Sequence, residues 1–204
     1  MKTCVGVGLF VSLCLSGAAS GGALVFPSSY NMLNGETGTF TYWDDSYNGS
    51  GNTTQSGSPL SGGLGDLTDG VVATENWNVT PGLYVGWNDI TPTITFNFEQ
   101  AYDFESFTLF VDDSNGFGGV STPGSVDVRV NGVLSNVPLT DGASGAPLSF
   151  IIPLNAATDT VEITLNDGTA QWVFLSEVSF LAVPTPGAAG MLALGGLLGV
   201  RRRR

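Results

Sequence analysis

An all-β fold, an antiparallel β-sandwich of the jelly-roll kind, is predicted by two features of the sequence. Apolar residues recur with period two, and no stretch carries a convincing 3.6-residue period. The runs that carry this pattern are separated by clusters of Gly, Asn, Asp and Pro, residues that supply left-handed or fixed turn conformations. Many short strands with such loops favour a sandwich over alternating β–α units.

Taken along the chain, TFTYW (39–43) reads as a first strand. In TITFNF (93–98), Ile94, Phe96 and Phe98 alternate with Thr93, Thr95 and Asn97, the mark of a strand with one buried face. FESFTLFV (104–111) is apolar on both faces, as a strand covered on both sides would be. In SVDVRV (125–130), Val126, Val128 and Val130 point one way and Asp127 and Arg129 the other. LSFII (148–152) and TVEITL (160–165) add two more strands, the second with Val161, Ile163 and Leu165 on its apolar face. WVFLSEVSFL (172–181) is again apolar on both faces and reads as the last strand. The intervening loops lie at 46–63, 112–124, 141–147 and 166–169, and the first is long enough to be mobile.

Three segments divide the chain: a signal peptide at 1–23, a sandwich body at 24–182 and a terminal segment at 183–204. At the start, Lys2 precedes an apolar run from Val5 to Leu15 and then small residues, the layout of a secretory signal helix cleaved after Ser20 or Ala23. At the end, two prolines stop the last strand, fourteen uncharged residues (187–200) follow, and Arg201, Arg202, Arg203 and Arg204 close the chain. As a helix the apolar run spans ~21 Å against a hydrocarbon core of ~30 Å, and snorkelling arginine stems extend its reach. The arginines hold that end in the cytoplasm, so both ends agree on a body outside and a basic tail inside.

Composition removes whole classes of chemistry. There is no His, and both cysteines, Cys4 and Cys14, fall in the signal segment. That excludes imidazole-based catalysis and disulfides or thiolates in the body. The body holds all eighteen acids and a single basic residue, Arg129, a field that repels nucleic acid and anionic lipid and favours cations. Carboxylate chemistry and oxygen-ligand metal binding remain.

Pro184, Thr185 and Pro186, the short apolar helix and the terminal Arg cluster resemble the PEP-CTERM sorting signal of bacterial exported proteins. Thr185 stands where the usual motif has Glu, and the VPTPGA form is similar to a recognised subgroup. The resemblance implies recognition by an exosortase, cleavage near Pro184–Pro186, a transient membrane anchor, and release or surface attachment among extracellular polysaccharide.

LGDLTDG (64–70) leading on to VVATENW, YVGW (84–87), ITFNF (94–98), the segment 111–128 and FLSEVSF (174–180) together resemble the galactose-binding-domain-like jelly rolls. That group includes discoidin domains and many carbohydrate-binding modules, and the likeness spans roughly residues 60–182. It implies a structural calcium where the early Asp-Gly loop meets a Glu on the last strand, which assigns Asp69, Thr74 and Glu177 as ligands. Calcium prefers six to eight oxygens from carboxylates, carbonyls and hydroxyls, and such an ion would join the first and last parts of a body without disulfides. The plainer reading makes Asp69 a turn residue with Gly70 and leaves Glu177 facing water. Asp112, Asp113 and Asn115 before Gly116 have the look of a calcium loop but lack the EF-hand spacing; a turn whose side chains cap backbone groups is the first reading and a metal site the second.

A sugar site needs an aromatic platform beside polar groups. Trp43, Trp77, Tyr84 and Trp87 are the candidates near loops, and Tyr84 and Trp87 are assigned as ligand-binding. Discoidin-like lectins commonly grip galactose or fucose with His and Arg; the lack of His, and the place of Arg129 on a strand, count against that mode. The expected function is that of an exported, non-catalytic surface or matrix protein that binds carbohydrate or packs against matrix components. A small glycosidase using two of Glu75, Glu99 and Glu162 is the alternative, and a purely structural, calcium-dependent acidic matrix protein is another.

Overall fold

The computed structural model describes residues 21–168 and 170–184. Nine strands run in the order β1 (Ala23–Val25), β2 (Ser29–Leu33), β3 (Pro59–Gly63), β4 (Val85–Asn88), β5 (Thr93–Val111), β6 (Ser125–Val130), β7 (Val133–Pro138), β8 (Leu148–Asn166) and β9 (Trp172–Ala182). All strand pairs are antiparallel. Among the described residues the helical segments are three short 3-10 turns, and no helix is long and apolar enough to cross a membrane. The signal helix and the terminal apolar helix expected from the sequence lie outside the described residues, as do Thr185, Pro186 and Arg201 to Arg204.

Two long, bent strands build both layers. The first half of β5 pairs with β2 and with the second half of β8, which continues through β6 to β7. The second half of β5 pairs with the first half of β8 and with β9, and β9 carries β1 and β4 along its other edge. The sequence suggests separate strands at 93–98 and 104–111, and at 148–152 and 160–165; each pair is one bent strand. The β5 corner lies between Asn97 and Tyr102, where pairing is interrupted. A second irregularity at Phe104/Ser106 shifts the inward phase of β5, so that Ile94, Phe96, Phe98 and Phe104 are followed by Phe107, Leu109 and Val111. Opposite the Phe104/Ser106 break, Asn155 takes a left-handed φ of 47°, a conformation Asn tolerates better than most residues.

TFTYW does not form a strand. Tyr42 N–H returns to Glu36 O at 3.1 Å and only Thr37 and Thr41 bridge, so the segment closes a tight loop that buries Tyr42 and exposes Phe40. The polar loop at 46–63 is pinned rather than loose. The fully buried Asn34 donates to Thr53 O at 3.0 Å, accepts from Asp44 N–H at 2.8 Å, and the loop ends in β3. The β6–β7 hairpin turns through Asn131 and Gly132, both with positive φ, the tight turn that favours this dipeptide.

The layers meet on aromatic side chains. Phe180 of β9 lies 5.0 Å from both Phe96 and Phe98, 5.8 Å from Phe104 and 6.0 Å from Phe107, ring centroid to centroid. Phe180→Ala removes the ring on which both halves of β5 converge. It is expected to cost about 3–5 kcal/mol, read as a lower urea midpoint with unchanged slope.

Candidate functional site

The segment 64–84 lies between β3 and β4 and has no strand of its own. Its backbone donors are met by carboxylates instead. Asp66 N–H donates to Asp44 Oδ1 at 3.0 Å, Gly70 N–H to Glu177 Oε2 at 3.1 Å and Trp77 N–H to Asp112 Oδ2 at 2.6 Å. Asp44 and Asp112 are fully buried and Glu177 is 4% exposed. Tyr30 Oη donates to the other oxygen of Asp44, and Ser114 Oγ to that of Asp112 at 2.6 Å. Burial raises the pKa of all three carboxyls, and the donors act against that rise. Glu177 is pushed furthest among those with a stated value, to about 8, with the charge of Asp69 adding to the effect of burial.

The structure brings Asp69 and Glu177 together around Gly70. Asp69 Oδ1 accepts Val71 N–H at 2.8 Å, so Asp69 also serves as the turn residue of the plainer reading, with Gly70 at φ 83°. Glu177 does not face water on an edge: it is buried in β9 between β5 and the 64–84 segment. Thr74 is exposed and lines a separate surface recess with Glu75, Asn76 and Gly145. Among the described residues, no three acidic side chains close into a metal cage. A calcium here would therefore draw on the Asp69 and Glu177 carboxylates with backbone oxygens and water. The donor chemistry suits it, since a buried carboxylate with one backbone donor and no cationic neighbour lacks charge compensation.

Tyr84 and Trp87 cannot act as platforms as they stand. They are 1% and 0% exposed, and their polar ends are used internally, Tyr84 Oη on Glu75 O at 2.9 Å and Trp87 Nε1 on Leu33 O at 2.9 Å. Both are core aromatics whose loop-side positions in the sequence misled. Trp43 bonds Ser56 Oγ at 3.3 Å beside the same loops.

Trp77 is the indole that reaches a recess. With Tyr42, Trp172, Phe174 and Val120 it lines a hollow of about 160 Å³. Trp77 and Trp172 lie 6° and 15° from the plane of Phe174, at centroid distances of 6.0 and 5.5 Å, so the two indoles are themselves near parallel. Tyr42 meets Phe174 edge-on at 4.6 Å. Phe117, 63% exposed, extends the face beyond Trp77 at 6.2 Å. Two glycines keep this arrangement open: a Cβ on Gly118, at φ 66°, would stand 2.4 Å from the Trp77 ring, and one on Gly38 would stand 2.9 Å from Tyr42. Trp172 and Phe174 sit two apart on one face of β9, a pairing hidden in the sequence because the whole run is apolar. Thr39 adds a hydroxyl at the rim.

No protein-family profile and no curated protein matches the chain. Solved structures similar to it include the family 32 carbohydrate-binding module of Clostridium perfringens NanJ in complex with galactose. That match has 12% identity and a TM-score of 0.38, covering 57% of this chain and 82% of that one. The lectin domain of lectinolysin complexed with Lewis B antigen matches at 11% identity and a TM-score of 0.41, covering 58% and 83%. A C. perfringens ZmpB structure comprising CBM32-1, CBM32-2 and the M60 catalytic domains matches at 11% identity and a TM-score of 0.46, covering 79% of this chain and 15% of that one.

The raised carboxyls fix the sign of a pH response. A folded chain that keeps a proton which the unfolded chain releases loses stability as pH rises between the two pKa values. With calcium chelated, unfolding free energy is expected to fall as pH climbs from about 4 to about 8. Asp66, pushed up to about 6, contributes to the lower part only, and Glu177, up to about 8, to the whole range. Denaturant titrations of Glu177→Gln should show the decline above pH 6 abolished and the decline below it made shallower.

Proposed function

We propose that this chain is an exported, non-catalytic protein that holds a saccharide ring of an extracellular polysaccharide or surface glycan in the aromatic recess. The observation that carries the reading is the pair of near-parallel indoles, Trp77 and Trp172, flanking Phe174 above two glycines. Flat aromatic faces suit the apolar face of a sugar ring, and the rim hydroxyl of Thr39 and nearby backbone groups suit its hydroxyls. Arg129 takes no part, since it pairs with Glu162 at 2.9 Å across β6 and β8. That pairing also occupies one of the carboxylates considered for catalysis. Glu99 lies exposed at the β5 corner, and Glu75 lines the recess that holds Thr74.

Calcium at Asp69 and Glu177 would supply the charge compensation that Glu177 lacks and fasten the 64–84 segment to the last strand. Export follows from the amino-terminal signal layout, and transient anchoring followed by exosortase processing from Pro184–Pro186 and the terminal arginines. The pairing of Ala23 with Ala182 in β1 favours signal cleavage after Ser20 over cleavage after Ala23.

On a glycan array the full chain is expected to bind at least one polysaccharide. Trp77→Ala and Trp172→Ala should each weaken that binding by ~30-fold or more, about 2 kcal/mol, the loss typical of a central Trp contact. No glycan bound above background would leave the purely structural matrix reading. Millimolar calcium is expected to raise the melting temperature by several degrees, and Glu177→Gln to reduce that rise.

A further inference from the structure

A second cluster of oxygens lies where three loops meet. Asp113 follows β5, Asn76 belongs to the 64–84 segment, and Asp141 and Gly145 lie between β7 and β8. Asp113 is fully buried. Its Oδ1 accepts Asn115 N–H at 3.1 Å, the backbone-capping role expected of a turn residue. Its Oδ2 is buried and has no hydrogen-bond partner among the described residues. The Asp141 carboxylate lies beside that of Asp113, and two carboxylates supply no hydrogen between them unless one is protonated.

The third member is an amide oxygen. Asn76 Nδ2 donates to Gly145 O at 2.7 Å, which fixes the orientation of the amide. That leaves Asn76 Oδ1 buried and likewise without a partner. Gly145, whose carbonyl takes the Asn76 amide, also turns its backbone N–H toward the Asp113 carboxylate, so one residue links the two side chains. Asn115 Nδ2 reaches Ala143 O at 3.4 Å and draws the 141–147 loop onto the same spot. Leaving one buried acceptor unpaired costs about 1–3 kcal/mol, and more when it is charged. Two orphaned acceptors beside an opposed carboxylate share one simple remedy, a hard cation.

We infer that Asp113 Oδ2, the Asp141 carboxylate and Asn76 Oδ1 form a calcium site distinct from the one at Asp69 and Glu177. Two carboxylates, one amide oxygen, loop carbonyls and water supply the oxygen donors this ion prefers, in a flexible loop setting that suits calcium better than octahedral magnesium. The ion ties three loops that no strand joins. It also acts on Trp77 through the chain: Asn76 precedes Trp77, and Asp112, next to Asp113, holds the Trp77 N–H.

Terbium, which replaces calcium at oxygen sites and emits when a nearby indole is excited, reads this site through Trp77. The full chain is titrated with terbium and then with competing calcium, in wild type, Asp141→Asn and Glu177→Gln. Asp141 is exposed, so Asp141→Asn leaves the core intact. The wild type is expected to show indole-sensitised emission displaced by calcium. Asp141→Asn should weaken the sensitised site at least tenfold, while Glu177→Gln retains it. Emission in Asp141→Asn with wild-type affinity overturns the assignment, and so does emission lost in Glu177→Gln alone. Absence of sensitised emission in the wild type also overturns it, in favour of a proton shared by Asp113 and Asp141. None of these outcomes depends on whether a saccharide binds.

Discussion

Asp44, Asp112 and Glu177 come from three separate places in the chain, and each turns an oxygen onto a backbone N–H of residues 66–77. That segment contributes no strand, so sheet pairing does not hold it. An irregular backbone laid against a core must still satisfy its donors, because a buried unpaired group costs as much as a lost hydrogen bond. Here carboxyl oxygens meet that need, and where the group is ionised the bond is about twice as strong as a neutral one. Ala73 N–H adds a weaker tie, to Ser176 Oγ at 3.4 Å.

The placement of the recess follows from this clasp. Trp77 stands at the end of the segment, and the bond from its N–H to Asp112 sets where the indole meets Phe174 and Phe117. β9 serves both parts: Glu177 and Ser176 face the segment, while Trp172 and Phe174, a few residues earlier, form the other wall. A strand between β5 on one edge and β1 and β4 on the other is a rigid mount for a binding face. The clasp is also electrostatically expensive. Burying carboxylates without a cationic side chain raises their pKa, and in a body with one Arg the compensation has to come from outside the chain. The proposed calcium would thus answer a need set by composition as much as by any single site.

The middle and end of the sandwich were legible in the sequence, and the beginning was not. Ile94, Phe96 and Phe98, or Val161, Ile163 and Leu165, alternate cleanly because one face of each meets the core. The two-sided burial of β9 was equally plain, since nearly every residue from Val173 to Val178 is covered. β7 left no such trace, since Val133 and Leu134 are both exposed. β2, β3 and β4 are four or five residues long, too short for a period to show. The bends of β5 and β8 depend on strand pairing across the sheet, which a local pattern does not record. In the site, the pairing of Asp69 with Glu177 came from a resemblance together with the need of a buried acid for a partner. The recess was missed because aromatic residues near loops look alike in sequence, and only burial separates Trp87 from Trp77.

The clasp is tested most directly by backbone hydrogen exchange, residue by residue, on the folded chain. The amides of Asp66, Gly70 and Trp77 should exchange as slowly as those in the central strands β5 and β9, well behind neighbours such as Val72 and Asn78. Exchange of all three at the rate of an open loop would contradict the account, because the segment would then be held by something other than the three buried carboxylates.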